Sequence, residues 1–566
     1  MRRGLGRTRL GARQIKLLRF LTERAPIVYG PPGAGGAMMP AAFESKLAGS
    51  IERMGHALSD WLDRRWTLFL LCSTGSTLLA FSGYAHTKTP WMDEVVFLTM
   101  VRQRGLAAVW GALMAGVQTD PPITHLVMHL LFRAVGESVF LARLPAILGF
   151  ALMCFSLACL VRRHAGPVYG AAAYFLPYTA TLMRSRAMDA RPYAMMMGFS
   201  ALALLCWDAL EEGDARRRRA WRIGFALSLA ATFCTHFYSI LLLLPLAMGE
   251  LTVWMEKRRP RWITPLGAAA ALIPYAASLP ILLAGRRIFG QYHGAPRFEN
   301  LRQFFSNGLD SLPLAGVLIL AAAALALKKD GPLWPAPAAP DWRQRALFAS
   351  CAGFLILPAA GYAGGVAITK FFITYYFMIS FFGIILGLPL LLASVSGRSR
   401  TIGLCLLLPI AGNAAMVTAR GLSGFFRHDA PYPTMAQLAK LIPEPNPEIV
   451  VGSPTGYLPL YDANRFDPAA REMVFLFDRS KALASIGTDT SDVLYMQLRR
   501  YTAARIEAFD PYVGAHRGFY MLVMPGEDVD NWQFAYLEKR LKARIRWMGE
   551  PGGFVLYRID LDPAGL

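Results

Sequence analysis

Long apolar runs alternate with short polar connections over the first three quarters of the chain. A helix needs roughly 20 apolar residues to cross a bilayer. Runs near that length fall at about 66–83, 139–160, 167–183, 193–210, 221–237, 238–255, 263–284, 312–327, 346–367, 375–395 and 401–418. A chain that is 54% hydrophobic and 17% charged cannot bury this much apolar surface in a water-soluble core. The pattern predicts a mainly α, polytopic transmembrane bundle of about eleven helices.

Basic residues gather in alternate connections between these runs, as cytoplasmic loops do. The clusters are Arg162 with Arg163, Arg216 to Arg219, Lys257 to Arg259, Lys328 and Lys329 with Arg343 and Arg345, and Arg398 with Arg400. The net charge of +21 is therefore explained by membrane topology, and no nucleic-acid partner is expected. A cytoplasmic N-terminus and an odd number of crossings place the C-terminus outside.

Three regions flank or interrupt the bundle of residues 66–418. Residues 1–65 carry 12 Lys and Arg against 5 Asp and Glu, which predicts a basic cytoplasmic arm with an amphipathic helix near Ile15–Leu21. Residues 84–138 have the apolar spacing of short helices on the outer membrane surface. Residues 419–566 return to a soluble composition and predict a small extracytoplasmic α/β domain. Its strands are predicted near 448–451, 473–477, 520–523 and 554–557, and its helices near 434–441, 493–508 and 531–542.

Four polar segments are predicted to converge at the outer end of the bundle. The first contains Asp93 and Glu94, just after the first apolar run, and the others are residues 119–125, 184–193 and 235–238. Ionisable side chains at a membrane are costly unless they are paired or functional. The segments therefore predict a polar site at the outer face.

Five short motifs occur in order along this side of the bundle. They are Met92-Asp93-Glu94, Asp120-Pro121-Pro122, Arg143-Leu144-Pro145, Asp189-Ala190-Arg191-Pro192-Tyr193 and Thr235-His236-Phe237-Tyr238. In these motifs, over about residues 66–400, the chain resembles the GT-C superfamily of polytopic glycosyltransferases. Within it, the chain is similar to the protein O-mannosyltransferase and aminoarabinose transferase branch, the family 39-like proteins.

The resemblance implies a sugar donor carried on polyprenyl phosphate and a glycan, lipid or protein acceptor. It further implies transfer with inversion at the periplasmic face of a bacterial inner membrane. The chain departs from the family pattern at two places. Asp120 stands where many relatives have a basic residue, and residues 373–376 replace an Arg-Tyr pair, for which Lys370 is the candidate substitute.

Sugar transfer from a lipid phosphate needs a base for the acceptor proton and cations for the departing phosphate. Asp93 is the candidate base, because partial burial would raise its pKa toward a useful value. Glu94 would orient the loop or contribute to acceptor or metal binding. The alternative for both is a solvated helix N-terminus, where acidic side chains interact favourably with the helix dipole.

Arg191 is the candidate phosphate ligand, because a guanidinium can clamp phosphate oxygens with two parallel hydrogen bonds. Its alternative role is an interfacial anchor, and Arg184 and Arg186 fit either role. Asp189 is a partner of Arg191, a second active-site acid or the N-cap of the following helix.

Three further residues complete the candidate substrate site. Tyr193 lines the donor site or lies at the membrane interface as an aromatic anchor. Pro122 fixes the start of the next amphipathic helix and so shapes the cavity. His236 binds phosphate, pairs with a carboxylate or is a satisfied boundary histidine.

The sequence identifies no certain cofactor, and two groups of residues are candidates for a metal site. Asp93, Glu94 and Asp189 offer hard oxygen ligands for a divalent cation. His125 and His129 have the four-residue spacing of zinc ligands, but no cysteine lies near them.

Two other classes of protein remain open. A secondary transporter or lipid flippase would also be polytopic, although such proteins hold their essential charges near the bilayer midplane. A catalytically inactive binding subunit would share every motif. Membrane lipids are partners in each case.

Overall fold

The computed structural model describes residues 41–288, 295–326, 340–427, 432–444, 447–526 and 531–561. The chain divides into two compact units, Met1–Ile51 and Glu52–Leu566. The described residues of the first unit are helical, and every contact discussed below lies within the second. The predicted helix near Ile15–Leu21 and the pair Lys328 and Lys329 lie outside the described residues.

Helices form almost the whole described chain up to Ser423. In order they are α1 (Ala41–Arg64), α2 (Trp66–Thr87), α3 (Met92–Val101), α4 (Leu106–Met114), α5 (Ile123–Val135), α6 (Val139–Ala165), α7 (Pro167–Phe175), α8 (Thr181–Arg186), α9 (Tyr193–Asp208), α10 (Ala215–Thr235), α11 (Leu243–Lys257), α12 (Ile263–Ile288), α13 (Phe298–Asn307), α14 (Ser311–Ala326), α15 (Trp342–Gly364), α16 (Phe382–Val395) and α17 (Arg400–Ser423). Tight 3₁₀ turns at Leu176–Thr179, Phe237–Leu242 and Thr374–Phe381 join consecutive helices.

Seven helical spans among the described residues are long and apolar enough to cross a membrane. They are Trp66–Thr87, Val139–Ala165, Phe237–Lys257, Ile263–Arg286, Trp342–Ala367, Thr374–Val395 and Arg400–Phe426, and the bent pair Phe298–Ser306 with Ser311–Ala322 would make an eighth. The other predicted runs also form helices, but α7 is interrupted at Leu176, α9 has only 16 residues and α10 begins with charged residues. The predicted fold class is confirmed.

Small residues let α6 and α9 approach closely. A β-carbon on Gly149 would lie 2.5 Å from the carbonyl oxygen of Ala194, so only glycine fits there without a shift. Within a bilayer the surrounding lipid is as apolar as the side chains, so the hydrophobic effect does not drive helices together. Close packing at small residues stabilises their association instead. Because Arg143 lies near the start of α6 and Tyr193 begins α9, this contact fixes their separation.

The region 84–138 forms the short helices α3, α4 and α5. The backbone N–H of Trp91 donates to Oε2 of Glu94 at 3.3 Å, which closes the first turn of α3 as in a capping box. Pro122 is the N-cap of α5, and its φ of −73° is already suited to a helix start. The two local signals place Asp93 and Pro122 at neighbouring helix N-termini.

A six-stranded sheet follows the last long helix. Its strands are β1 (Ile449–Val451), β2 (Met473–Phe477), β3 (Arg505–Ala508), β4 (Gly518–Val523), β5 (Arg544–Gly549) and β6 (Val555–Asp560), in the order β3-β2-β1-β4-β6-β5. The first four strands are parallel, and β5 and β6 are antiparallel additions. The surrounding helices are α18 (Met435–Ala439), α19 (Pro454–Asn464), α20 (Arg479–Ile486), α21 (Thr490–Leu498), α22 (Phe509–Ala515) and α23 (Trp532–Lys539).

The predicted α/β character is confirmed, but one helix boundary is wrong. The helix predicted at 493–508 ends at Leu498, and Arg505–Ala508 forms β3. This strand lies at the edge of the sheet and alternates polar with buried positions, so its composition does not distinguish it from a helix surface.

Candidate functional site

Asp93, Asp120, Arg191 and His236 meet at one end of the bundle. Oδ2 of Asp93 lies 3.7 Å from Nη2 of Arg191, and Oδ2 of Asp120 lies 3.5 Å from Nη1 of the same guanidinium. Nε2 of His236 is 3.9 Å from Oδ1 of Asp120. The structure thus brings together one residue from each of the four predicted polar segments.

The carboxylate of Asp93 forms an ion pair with Arg191 but accepts no hydrogen bond among the described residues. The Asp93 side chain is 24% exposed. Burial raises the pKa of Asp93 above its usual value, and Asp120 and Asp189 add to this, whereas Arg191 opposes it. An accessible carboxylate with a raised pKa can take up a proton from a neighbouring hydroxyl.

Glu94, the next residue, is fully buried and fully occupied. Arg143 donates to it through Nε and Nη2, both at 2.8 Å, and the backbone N–H of Ala190 donates to Oε1 at 2.6 Å. Burial alone would raise the pKa of Glu94, but the bonds from Arg143 and the charge of Lys88 hold it below its usual value. Glu94 therefore joins α3, α6 and the turn before α9.

Arg143 extends this junction to the end of α2. Its side chain is 1% exposed, and Nη1 donates to the carbonyl oxygens of Ala85, at 2.7 Å, and Lys88. All three guanidinium nitrogens are thereby used. The charge pair is thus embedded in hydrogen bonds, the condition under which a buried ion pair is stable.

Asp189 is held by Lys88 and Arg186. Lys88 Nζ donates to Oδ1, and Nη1 of Arg186 donates to Oδ2 at 2.8 Å. Asp189 contacts Arg191 through the backbone, whose N–H donates to the Asp189 carbonyl oxygen at 2.7 Å. The carboxylate therefore supports the turn before α9 and does not hold the Arg191 guanidinium.

Aromatic rings enclose the guanidinium of Arg186. Its central carbon lies 5.2, 5.6 and 4.9 Å from the ring centroids of Trp91, Tyr193 and Tyr375. Cation–π attraction at such distances favours a cation in this position. Tyr193 also supports Arg191, whose Nη2 lies 3.3 Å from the Tyr193 hydroxyl.

His236 is buried between Tyr193 and Tyr376, with ring centroids 5.2 and 5.0 Å away. Nδ1 accepts the backbone N–H of Tyr238 at 3.1 Å. This hydrogen bond leaves the proton of a neutral ring on Nε2, which faces Asp120. Of the three roles predicted for His236, pairing with a carboxylate is the one this geometry favours.

Several buried polar atoms in this cluster have no hydrogen-bond partner among the described residues. They include Nε of Arg186, Nε of Arg191, Oδ2 of Asp120 and Nε1 of Trp91. Unsatisfied buried polar groups are uncommon in folded proteins, so their concentration at one place is a sign of a binding site.

Three predicted site residues lie outside this cluster. Arg184 pairs with Asp310 at 3.0 Å and donates to the Tyr178 carbonyl oxygen at 2.6 Å. Lys370 is exposed and donates to the Val366 carbonyl oxygen at 2.7 Å within its own helical turn. Pro122 acts through the start of α5. In this structure Arg184 and Lys370 therefore have structural partners.

The carboxylates considered for a divalent cation are already occupied, apart from Asp93. Both oxygens of Glu94 accept from Arg143, and both oxygens of Asp189 accept from Lys88 and Arg186. His125 and His129 are also engaged, since Nε2 of His125 contacts Oε1 of Gln118 at 2.6 Å and Nδ1 of His129 contacts the Val101 carbonyl at 2.8 Å. The described residues do not fit a metal at either place.

Sequence reasoning assigned no role to Arg143, Lys88 or Asp120. Arg143 had a usable signal, because a charged residue four positions inside an apolar run needs a buried partner. Asp120 was noted only as a departure from a family pattern. Its closeness to Arg191 depends on a contact between residues 71 positions apart, for which local sequence has no signal.

The C-terminal domain contacts α3, the helix that carries Asp93, through ion pairs and apolar packing. Arg102, the C-cap of α3, contacts Asp462 of α19 at 2.6 Å and Glu137 at 2.9 Å. Arg465 contacts the same two carboxylates at 2.8 and 2.9 Å, which closes a ring of four charges. Beneath the ring, Val95, Val96 and Met100 share an apolar cluster with the inner face of the sheet domain.

Replacing Asp462 by alanine is expected to loosen α3. Partly exposed ion pairs contribute about 0.2–1 kcal/mol each, so amide hydrogen exchange of α3 should accelerate by up to about fivefold. Glu507→Ala is the matched control, because it breaks a 2.6 Å pair with Arg505 inside the C-terminal domain. Equal exchange of α3 in both variants would contradict a role for the ring.

Fold and site together define a polytopic membrane protein with a cationic, aromatic and acidic cluster at one end of its bundle. No family model and no curated protein sequence matches the chain. Among solved structures, the chain is similar to ArnT from Cupriavidus metallidurans bound to undecaprenyl phosphate, with 13% identity over 87% of this chain and 98% of that chain. It is also similar to the apo state of the same protein, with 14% identity over 89% of this chain and 98% of that chain.

The TM-score is 0.47 in both comparisons. The likeness concerns the overall arrangement of the chain and assigns no role to a residue.

Proposed function

We propose that this protein is an inner-membrane glycosyltransferase that moves a sugar from a polyprenyl-phosphate donor to an acceptor at the periplasmic face. The observation that carries the proposal is the partly exposed carboxylate of Asp93, which accepts no hydrogen bond among the described residues, beside the buried guanidinium of Arg191. The acceptor is a glycan, lipid or protein hydroxyl. The N-terminus is cytoplasmic and the C-terminal domain is periplasmic in this proposal.

Asp93 acts as the general base. Its carboxylate takes the acceptor proton while the acceptor oxygen bonds to the anomeric carbon and the bond from that carbon to the phosphate oxygen breaks. The bonding electrons leave with polyprenyl phosphate, whose oxygens need cations but little protonation. Attack from the face opposite the departing phosphate inverts the anomeric carbon.

Arg191 and Arg186 supply the cations. Each retains one buried N–H, at Nε, without a partner among the described residues. These two groups can donate to phosphate oxygens without breaking the existing contacts to Asp93, Asp120 and Asp189. Charge-assisted bonds of this kind are roughly twice as strong as neutral ones.

The placement of charge favours a transferase over a secondary transporter or flippase. Transporters concentrate essential charges near the bilayer midplane, often on broken helices. In the described chain, the cluster around Arg191 lies where α3, α5 and α9 begin, at one end of the bundle. A reaction between a lipid-borne donor and an acceptor from the aqueous side fits such a boundary.

The test is sugar transfer by the purified protein in nanodiscs, supplied with a panel of polyprenyl-phosphate sugars labelled in the sugar. We expect release of polyprenyl phosphate together with labelled acceptor for at least one donor. Parallel proteoliposomes measure movement of the intact donor across the bilayer. Flux of uncleaved donor, with no transfer for any sugar, would replace the proposal by the flippase alternative.

A further inference from the structure

Two neighbouring cavities lie where α11 meets α12, far from the Asp93 cluster. The first is an apolar groove of about 400 Å³, lined by Leu246, Leu251, Trp254 and Ala268 among others. The second cavity encloses about 440 Å³ and is lined by Glu211, Arg222 and Arg259. Pro260, Arg261 and Trp262 line both, so an apolar and a polar compartment adjoin.

The polar compartment carries uncompensated positive charge. Both acids of the two linings are already matched, Glu211 by Lys257 and Glu250 by Arg261. Glu250 also accepts from Trp207 at 2.6 Å and Thr264 at 2.8 Å. The exposed Arg222 and Arg259 form no ion pair within the described chain. The compartment therefore attracts an anion.

The position of the cavities points to a lipid. Phe237–Lys257 and Ile263–Arg286 are both apolar enough to cross a membrane, so the groove between them opens toward acyl chains. Trp254 and Trp262 are 54% and 68% exposed at its mouth, and tryptophan favours the interface between headgroups and hydrocarbon. The 21-residue span that begins beside His236 separates the polar compartment from the candidate site by about 30 Å.

We propose that the paired cavities bind one anionic diacyl phospholipid. An acyl chain lies in the groove between α11 and α12, and the headgroup phosphate lies between Arg222 and Arg259. Basic pockets between membrane helices recognise anionic headgroups through this combination of charge and apolar contact. A zwitterionic headgroup carries a cation beside its phosphate and no net charge, so it should bind more weakly next to the two arginines. The site is independent of the proposed transferase activity.

The test compares Arg222→Gln/Arg259→Gln with the control Arg216→Gln/Arg219→Gln, which removes two exposed arginines from the start of α10, outside both linings. Purified protein in detergent is titrated with phosphatidylglycerol, phosphatidylcholine and polyprenyl phosphate, and binding is followed by native mass spectrometry and thermal unfolding. We expect the first variant to bind phosphatidylglycerol about 25-fold more weakly, roughly fivefold for each arginine. The control should bind as the wild type does.

A second variant, Ala247→Phe, fills the exposed mouth of the groove while both arginines remain. It should fold normally and lose most of the phosphatidylglycerol-induced rise in unfolding temperature. Equal losses in the two arginine variants, or equal binding of phosphatidylcholine, would overturn the proposal. Tighter binding of polyprenyl phosphate than of phosphatidylglycerol would also overturn it, because the site would then belong to a different lipid.

Discussion

Replacing Asp93 by asparagine is expected to lower the rate of sugar transfer by about 10²–10⁴, the usual contribution of a positioned general base. The amide keeps the shape of the side chain but cannot accept the acceptor proton. The affinity for the donor should change little, because the Nε groups of Arg186 and Arg191 remain available. The measurement is the transfer rate at saturating donor, with donor binding measured separately.

The pH dependence offers a second measurement on the same residue. Burial raises the pKa of Asp93, and the base must be ionised to act, so activity should rise with pH through a limb above the ordinary aspartate pKa of about 3.9. That limb should be absent from the residual activity of Asp93→Asn. Asp310→Asn is the matched control, since Asp310 is a partly exposed acid paired with Arg184. An Asp93→Asn variant with wild-type turnover would exclude this base.

Replacing Glu94 by glutamine is expected to destabilise the fold by about 3–5 kcal/mol, because the buried guanidinium of Arg143 loses its counter-charge. The folded-state pKa of Glu94 lies below its ordinary value of about 4.3, so its contribution is fully present at neutral pH. It is lost as the pH falls below that value toward the folded-state pKa. The measurement is denaturant unfolding of the protein in nanodiscs at pH 7.

A double-mutant cycle separates this pair from a general loss of packing. Arg143→Met alone should lower the free energy of unfolding by a similar amount, because it leaves Glu94 buried with its charge uncompensated. In the double variant, the second substitution should lower the free energy of unfolding much less than it does alone. The difference is a coupling energy of about 1–3 kcal/mol. Strictly additive costs would mean that the two side chains act independently.

The sequence predicts the helical bundle because apolar runs of near-membrane length recur through residues 66–418, although only seven described spans, or eight with the bent pair, are long and apolar enough to cross a membrane. It also predicts that the adjacent acids differ, since consecutive helical residues point in directions about 100° apart. It does not predict what each faces. Glu94 pairs with Arg143, 49 residues away. The only sequence signal for that partner is the charge of Arg143 itself, which lies within an apolar run.

The fold brings only some of the residues predicted for a phosphate site close together, for reasons that local sequence does not contain. Arg191 lies close to Asp93 because the bond from the Ala190 N–H to Glu94 holds the turn before α9 against α3. Lys370 ends the turn after α15 in a left-handed conformation, and its amine donates to the carbonyl oxygen of Val366 in that same turn. The ring of Arg102, Glu137, Asp462 and Arg465 could not be predicted from sequence either. The local sequence around a charged surface residue does not indicate which distant residue it pairs with.

That ring also sets an order of events during synthesis. Arg102 and Asp462 are 360 residues apart, so at roughly 5–20 residues per second a ribosome needs about 20–70 s to make the second after the first. Throughout that interval α3 is present without α19 against it. A nascent chain therefore holds Asp93 on a helix that lacks its contacts to α19, and these contacts form only after the sheet domain has been made.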